Sequence, residues 1–373
     1  MNKDNELRVV ISGGGTGGHI FPAVSIANAI VALCPNAKIL FVGANNRMEM
    51  QRVPAAGYEI KGLPIRGLYR PLWKPANIGV AIDYLVSKWK ARSILKQFRP
   101  QVAVGVGGYA SSATLGAAYD MHIPCLVQEQ NSYAGLTNKR LAGKAQKFCV
   151  AYEGMERFFP AEKVMLTGNP VRQSLLDTKV SREEALRSLG LDTKKKTVVL
   201  VGGSLGARSL NDSMMAHLDD IRQSDVQFYW QTGKIYSKEI AGILQEKGKP
   251  DNLVVTDFIT DMGVAYKAAD LVVSRSGAGS ISEFCLLGKP VILVPSPNVA
   301  EDHQTKNAMA LVDKQAALIV KDAEAKDKLI DLAIKTVNDD ALLKSLSENV
   351  LKMALPHSAD IIAKEVIKLA QNH

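Results

Sequence analysis

Two doubly wound α/β halves in tandem are the fold class this sequence predicts. Short apolar runs, of the length of buried parallel strands, alternate with segments of three- and four-residue apolar spacing, the pattern of βαβ units. The order strand, glycine loop, helix occurs twice, at Leu7–Ile30 and again from Lys196 through Ala207. A chain of 373 residues is long enough for two cores of ordinary size.

The first half opens on the strand Leu7–Ser12, followed at once by Gly13–His19 (GGGTGGH). Pro22 and the periodic Ala23, Ile26, Ala27 and Ile30 then mark a helix. This is how a Rossmann-type unit begins. Gly13, Gly15 and Gly18 spell G-x-G-x-x-G, but a dinucleotide site also needs an acid at the tip of the second strand. That strand, Lys38–Val42, ends in GANNR without a carboxylate, which argues against NAD. No G-x-x-x-x-G-K-[ST] is present, so the loop is not that of an ATPase. His19, at the mouth of the turn, has two readings. It is a general base, because imidazole exchanges protons near neutral pH, or it is a hydrogen-bonded cap of the helix.

Charge is concentrated in this half. The formal net charge is +9; residues 1–170 carry 20 Lys/Arg against 10 Asp/Glu, and the remainder 26 against 27. Residues 61–99 hold nine bases and one acid, Asp83. In the loop, Arg66, Arg70 and Lys74 surround Leu68, Tyr69, Leu72 and Trp73 between Pro64, Pro71 and Pro75. The helix expected over Ala76–Phe98 sets Ile78, Ile82, Leu85, Val86 and Trp89 at helical spacing, with Lys88, Lys90 and Arg92 adding charge. Apolar groups ringed by bases suit an anionic membrane surface. Much of the helix's apolar face is also expected to pack on the sheet. Nucleic acid is the other anionic surface to consider.

Val102–Val106 is the next strand and ends in GGYAS (Gly107–Ser111); Cys125–Gln128 follows and ends in QEQNSYAGLTNK. Asn131 stands there at a strand's carboxyl end, where open α/β sheets keep ligands, and its amide both donates and accepts. Phe148–Tyr152 closes the half. In Leu166–Arg172 (LTGNPVR), Gly168 and Pro170 stop regular structure, and Arg172 can reach an anion. The expected division is 1–168, 169–350, and a terminal helical segment, 351–373, packing across both halves.

Residues 179–190 read as a surface helix with a capping box, Ser181 and Glu184. The strand Lys196–Val201 and the loop Gly202–Ala207 (GGSLGA) then repeat the first half's opening. Further strands are Phe228–Thr232 and Leu253–Val255. In Asp257–Thr260 (DFIT), Phe258 can lie beside a planar base while the neighbouring backbone reads its edge. A short helix, Asp261–Ala269, and an apolar strand through Val273 lead into Ser274–Glu283 (SRSGAGSISE).

Gly277 and Gly279 open that turn, a helix is expected over Ile281–Leu287, and Glu283 lies one turn inside it. Unpaired N–H groups at a helix N-terminus stabilise an anion, and a carboxylate beside them accepts from a pair of hydroxyls. The stretch therefore reads as a site for a phosphorylated, hydroxyl-bearing ligand. The alternative is a tight strand-to-helix turn carrying a surface glutamate. Glu301–Ala308 begins another helix that aims His303 and Gln304 toward a cleft expected between the halves. From 323 to 373 the pattern predicts two amphipathic helices joined near Pro356.

No run has the ~20 apolar residues of a membrane span. The polar start MNKDNELR lacks the form of a secretory leader. Cys34, Cys125, Cys149 and Cys285 share no metal or redox spacing and read as small buried residues of a reducing compartment.

Taken in order, GGGTGGH, QEQN…AGLTNK, GNPVR, GGSLGA, DFI, SRSGAGSISE and DHQTKNA resemble the bacterial UDP-N-acetylglucosamine transferases that complete lipid II, along essentially the whole chain. The resemblance implies the GT-B fold, with two Rossmann-like domains whose parallel sheets face a central cleft. It implies transfer of GlcNAc from UDP-GlcNAc to the C4 hydroxyl of undecaprenyl-pyrophosphoryl-MurNAc-pentapeptide (lipid I) with inversion. By the same resemblance, Phe258 and Ile259 contact uracil and Glu283 binds the ribose hydroxyls. Ser276, Gly277, Ala278, Gly279 and Ser280 hold the diphosphate with Arg172 and Ser204. Gln304, with Asn131 and His303, reads the GlcNAc hydroxyls. Gly13, Gly14, Gly15, Thr16, Gly17, Gly18 and His19 receive the acceptor pyrophosphate, and Thr16, Gly17 and Gly18 also reach the nucleotide sugar. His19 is the candidate base, with Asn131 a second catalytic candidate. Arg66, Leu68, Tyr69, Arg70, Leu72, Trp73, Lys74, Ile82, Lys88 and Trp89 face the membrane.

The implied location is the cytoplasmic face of the cell membrane, peripheral. The implied partners are lipid I, the anionic membrane surface and other cell-wall synthesis and division proteins, with no nucleic acid. Inversion needs one displacement, a base for the attacking hydroxyl and charge stabilisation for departing UDP. Helix N-termini and Arg172 can supply the last, and no Asp-x-Asp element is present, so neither metal nor cofactor is expected. Three positions depart from the best-known members. Leu205 stands where a glutamine often follows GGS, Gln128 where a histidine often begins HEQN, and His303 where a glutamine is common. The first removes a partner for the nucleotide sugar; the others exchange polar groups. Competing readings are a GT-B epimerase or hydrolase on UDP-GlcNAc, which has no use for the basic-apolar patch, a dinucleotide oxidoreductase and a nucleic-acid binder.

Overall fold

Runs such as Val9-Val10-Ile11 and Val198-Val199-Leu200 have no polar face, so each must lie in a sheet covered on both sides. That is where the computed structural model puts them. It describes residues 6–67, 69, 73–171, 175, 177–203 and 205–372. The chain divides into two compact units, Met1–Val171 with Leu355–His373, and Arg172–Ala354.

In the first unit, β1 (Arg8–Ser12), β2 (Lys38–Ala44), β3 (Glu59–Leu63), β4 (Val102–Gly105), β5 (Cys125–Glu129), β6 (Lys147–Val150) and β7 (Val164–Leu166) form a parallel sheet in the order β3-β2-β1-β4-β5-β6-β7. The helices between them are α1 (Gly17–Leu33), α2 (Glu49–Ala55), α3 (Ala76–Phe98), α4 (Tyr109–Asp120) and α5 (Leu136–Arg140). Alternate strand residues feed opposite layers. Val9, Ile11, Phe41 and Val104 pack with Ala23, Ile26 and Ile30 of α1, while Val10, Val42, Ala103 and Val127 pack with the layer of α3 and α4. Helix α1 starts five residues before Pro22, so Gly17, Gly18 and His19 are helical rather than part of the loop. Pro22 forfeits one backbone bond near the helix start, and its ring is buried there, which offsets the loss.

In the second unit, β8 (Thr197–Val201), β9 (Gln227–Gln231), β10 (Leu253–Thr256), β11 (Leu271–Ser274), β12 (Val291–Leu293) and β13 (Leu318–Ile319) repeat the plan in the order β10-β9-β8-β11-β12-β13, all parallel. Its helices are α6 (Arg182–Ser188), α7 (Arg208–Ala216), α8 (Leu218–Gln223), α9 (Ser237–Lys247), α10 (Met262–Ala268), α11 (Ala278–Leu287), α12 (His303–Val312), α13 (Ala325–Asn338) and α14 (Asp340–Lys352). The capping box at Ser181 and Glu184 is formed in both directions. The tail holds three helices rather than the two expected. Asp339 accepts the Leu342 N–H at 2.9 Å and so starts α14 inside what reads as one amphipathic run.

The last helix, α15 (Ser358–Gln371), packs on α1 with Ile362, Ala363 and Val366 in the same core as Val9 and Ile11. Gly168 (φ +80°) permits this return, since a Cβ there would sit 2.6 Å from Leu355 Cβ and Ser358 Oγ. Both sheets reverse their strand order, between β1 and β4 and between β8 and β11. Ligands of doubly wound sheets bind outside the carboxyl ends of the strands at such points.

Candidate active site

At the β8/β11 switch point, β11 ends at Ser274 and α11 begins at Ala278 with Gly277 as its N-cap, three residues earlier than the sequence pattern predicts. Gly277 has no side chain with which to cap this end. The N-terminus of α11 faces this strand tip, and an anion beside the first-turn N–H groups of a helix gains up to about 2 kcal/mol in a partly buried site. A Cβ at Gly277 or Gly279 would meet no atom within 4 Å, so the approach is open. Glu283 is not a surface residue: it is 8% exposed, and its Oε2 accepts the Tyr266 hydroxyl at 3.1 Å. The Ser276 hydroxyl is buried and donates to the Gln304 carbonyl at 2.8 Å, tying the turn to α12. Gln304 Oε1 accepts the Ser296 N–H at 2.8 Å, which leaves its amide NH2 as the donor side. His303 is half-buried as the first residue of α12. Arg275, beside the turn, holds Asp322, Ser209 and the Val294 carbonyl, and so braces the loop.

At the neighbouring strand tips, Phe258 is 44% exposed, with its backbone pinned through Thr256 Oγ1, while the Ile259 side chain is buried. The Ile259 side chain thus serves the core, and only its backbone could meet a ligand. Lys234 Nζ stands 5.7 Å from the Phe258 ring centroid, a neighbour that spacing alone did not reveal, 24 positions away in sequence. Leu205 is 65% exposed on the GGSLGA loop, in contrast to the polar residue common there.

At the β1/β4 switch point, two glycine turns interlock. Gly13 packs on Val106, and a Cβ at Gly108 (φ +85°) would lie 2.6 Å from the Gly14 carbonyl oxygen. His19, in the first turn of α1, places Nδ1 2.9 Å from that Gly14 oxygen and 3.4 Å from Thr16 Oγ1. A carbonyl can only accept, so Nδ1 carries the proton and Nε2 is the basic nitrogen. The cap reading and the base reading of His19 are thus compatible, since the anchoring bond to Gly14 uses Nδ1 and not Nε2. Gly107 keeps room for the ring, since a Cβ there would lie 2.8 Å from Nε2. Tyr109, half-exposed at the start of α4, lies over Gly67.

Asn131 is held by Glu129, whose Oε1 accepts the Asn131 N–H at 3.0 Å and its side-chain amide at 3.2 Å. The other oxygen accepts Gly135 N–H at 3.0 Å and Asn138 Nδ2 at 2.8 Å, so one buried carboxylate shapes the whole 131–138 loop. Gln128 is fully buried and donates to Asn169 Oδ1 at 2.9 Å. Its polar group serves this internal network and is not offered to a sugar.

The apolar stripe of α3 does not pack on the sheet as expected. Val80, Ser87, Ala91 and Leu95 make the buried face. Ile78, Ile82, Leu85, Val86 and Trp89 are exposed, Ile78 by 68% and Trp89 by 74%, and Trp73 in the preceding loop by 84%. At ~100° per residue these five helical positions fall in an arc of about 100°, opposite the buried face. Tyr69, Lys74, Lys90 and Arg92 are exposed around them. Arg66 pairs with Asp83 at 2.5 Å, and Lys88 with Asp120 at 2.7 Å. No described helix is long and apolar enough to cross a membrane. Among the described residues no group of three or more His, Cys, Asp or Glu is placed to hold a metal ion. Leu68, Arg70, Leu72, Arg172 and Ser204 lie outside the described residues.

Two family descriptions match the chain in tandem: the glycosyltransferase family 28 N-terminal domain over residues 9–150 and its C-terminal domain over residues 197–363. The UDP-N-acetylglucosamine--N-acetylmuramyl-(pentapeptide) pyrophosphoryl-undecaprenol N-acetylglucosamine transferase of Bacteroides fragilis is 64% identical over 380 residues, covering 100% of both chains. The enzyme of the same name from Bacteroides thetaiotaomicron is 65% identical over 370 residues, 99% of each. Among solved structures, Acinetobacter baumannii MurG superposes with a TM-score of 0.79 at 26% identity, over 97% of this chain and 99% of that one. UDP-GlcNAc 2-epimerase from Neisseria meningitidis, at 15% identity and a TM-score of 0.68 over 98% and 100%, shares the fold alone. The two Rossmann-like units are those of the GT-B fold, and the chain belongs to glycosyltransferase family 28 and, within it, to the UDP-N-acetylglucosamine--N-acetylmuramyl-(pentapeptide) pyrophosphoryl-undecaprenol N-acetylglucosamine transferases.

Proposed function

We propose that this chain transfers GlcNAc from UDP-GlcNAc to the C4 hydroxyl of lipid I with inversion, giving lipid II for peptidoglycan, at the cytoplasmic face of the cell membrane. The observation that carries the donor half is the open N-terminus of α11 with buried Glu283 one turn inside it. A nucleoside diphosphate offers the two features that such a pair matches, an anion and a vicinal diol. In this reading Ala278, Gly279 and Ser280 bind the diphosphate through backbone N–H groups, with Ser276 and Gly277 shaping the turn and Arg172 and Ser204 assisting. Glu283 accepts from the ribose hydroxyls, and Phe258 with the Ile259 backbone takes uracil. The Gln304 amide, with His303 and Asn131, reads the sugar.

The acceptor half belongs to the first unit. Gly13–Gly18 and the first turn of α1 receive the pyrophosphate, and His19 Nε2 takes the proton from the C4 hydroxyl. The alkoxide oxygen forms its bond to the anomeric carbon as the bond from that carbon to the β-phosphate oxygen breaks. UDP leaves with the electron pair, its charge met by the α11 N–H groups. The exposed stripe of α3, flanked by Lys74, Lys90 and Arg92, then rests on the membrane that carries the acceptor. Two finer expectations belong to the same reading: an anionic lipid surface, and other cell-wall synthesis and division proteins as neighbours.

The test is purified protein with labelled UDP-GlcNAc and a short-chain lipid I analogue, beside a control without acceptor. Acceptor-dependent disaccharide-lipid with stoichiometric UDP is the expected result. Release of UDP or epimerised product without acceptor would instead mark a hydrolase or epimerase, whose fold is the same.

A further inference from the structure

The Glu49 carboxylate has no part in the reactions above, yet it is fully buried at the first residue of α2. Burying a carboxylate is costly unless hydrogen bonds replace its water. Oε1 accepts the Ala44 N–H at 3.0 Å and Oε2 the Gly15 N–H at 2.9 Å. Glycine makes room for it, since a Cβ at Gly14 would lie 2.2 Å from Oε1 and one at Gly43 2.6 Å from its Cγ. The Gly15 N–H and the Gly14 carbonyl belong to a single peptide unit, and that carbonyl is the acceptor for His19 Nδ1 at 2.9 Å. Carboxylate, peptide and imidazole form one line of hydrogen bonds.

We propose that Glu49 is a positioning residue for His19, acting through the Gly14–Gly15 peptide. An anion accepting at the N–H polarises the peptide and makes its carbonyl the stronger acceptor. That holds the Nδ1–H tautomer, keeps Nε2 basic and stabilises the imidazolium as the proton arrives. The role is that of the acid in a Ser-His-Asp triad, with a peptide interposed. Thr16 and Gly107, which also face the ring, bring no charge. On α15, packed against α1, the buried acid is Glu365, and it lies beside Cys149. The inference rests on the reading of His19 as the base, and the test separates the two.

The test compares full-length Glu49→Gln with the parent. The His19 imidazole is titrated by NMR, its resonance assigned with His19→Gln, and the pH profile of kcat/KM is recorded with UDP-GlcNAc and the lipid I analogue. Removing an anion at this distance should lower the His19 midpoint by roughly 0.5 to 1 pH unit. The plateau rate should fall about 2- to 3-fold, because the base is weaker. Should Glu49→Gln fail to fold, Glu49→Asp withdraws the charge without removing it and should shift the midpoint the same way by less. A His19 midpoint unchanged in the folded variant overturns the proposal. A midpoint that moves while the acid limb of kcat/KM stays in place upholds the coupling and removes His19 as the base.

Discussion

Gly279 shows how a single residue separates folding from binding. Its backbone is ordinary helix and its Cβ position is empty, so Gly279→Ala should leave the melting temperature equal or higher, as alanine favours helix by about 1 kcal/mol. In the proposed reading the added methyl stands where the diphosphate approaches, and UDP affinity should fall about 10-fold by calorimetry. An unchanged Kd would place the diphosphate elsewhere. Lys289 makes a different prediction. Burial pushes its ammonium down from the usual 10.5 to about 8, against the pull of Asp270, and Nζ donates to the Ala269 carbonyl at 2.9 Å. Between pH 8 and 10.5 the unfolded chain holds this proton and the folded chain has released it, so this group's contribution to stability rises with pH across that window. Below pH 8 both states are charged and the cost is constant. Urea unfolding of Lys289→Met should lack that rise; identical slopes in the two proteins would count against the shift. At this scale the sequence was legible where partners are close in the chain, as in SRSGAGSISE. It was not legible at Glu49, whose meaning depends on Gly15, 34 positions away.

Helix α3 carries the argument at the scale of an element. Its limits, Ala76–Phe98, coincide with those its apolar period predicts, but period alone could not say what covers the stripe. The narrow face of Val80, Ser87, Ala91 and Leu95 packs chiefly on α4. The larger apolar groups are left outside. The double variant Ile82→Glu, Trp89→Glu should reduce co-sedimentation with phosphatidylglycerol vesicles by 10-fold or more, given ~2 kcal/mol for burying each side chain. Parent binding should weaken with added salt, as exposed bases are screened. Vesicle binding indifferent to both changes would sink the membrane reading of this helix. Helix α11 adds a related lesson. Gly277 and Gly279 read as a turn ahead of a helix at Ile281, yet Gly279 lies in the first turn of α11, and neither glycine puts a side chain over that N-terminus.

Considered whole, the molecule repeats one doubly wound plan and puts a candidate half-site at the switch point of each sheet. In the proposed reading, charge stabilisation for the leaving group comes from helix N-termini, which are already oriented and need no ion. Activity under saturating acceptor should therefore survive EDTA; loss on chelation with recovery on adding magnesium would refute metal-independent transfer. The doubly wound halves, the two glycine loops and the strand-to-helix turn of residues 274–283 were determined by sequence alone, since strand length, helical period and turn chemistry are local properties. Tertiary structure decided the rest: the break that makes three helices of the tail, the return of α15 onto α1, the exposure of the α3 stripe and the seating of Glu49 beneath the Gly14–Gly15 peptide. Each depends on which distant surfaces meet, and neither periodicity nor motif spacing carries that information.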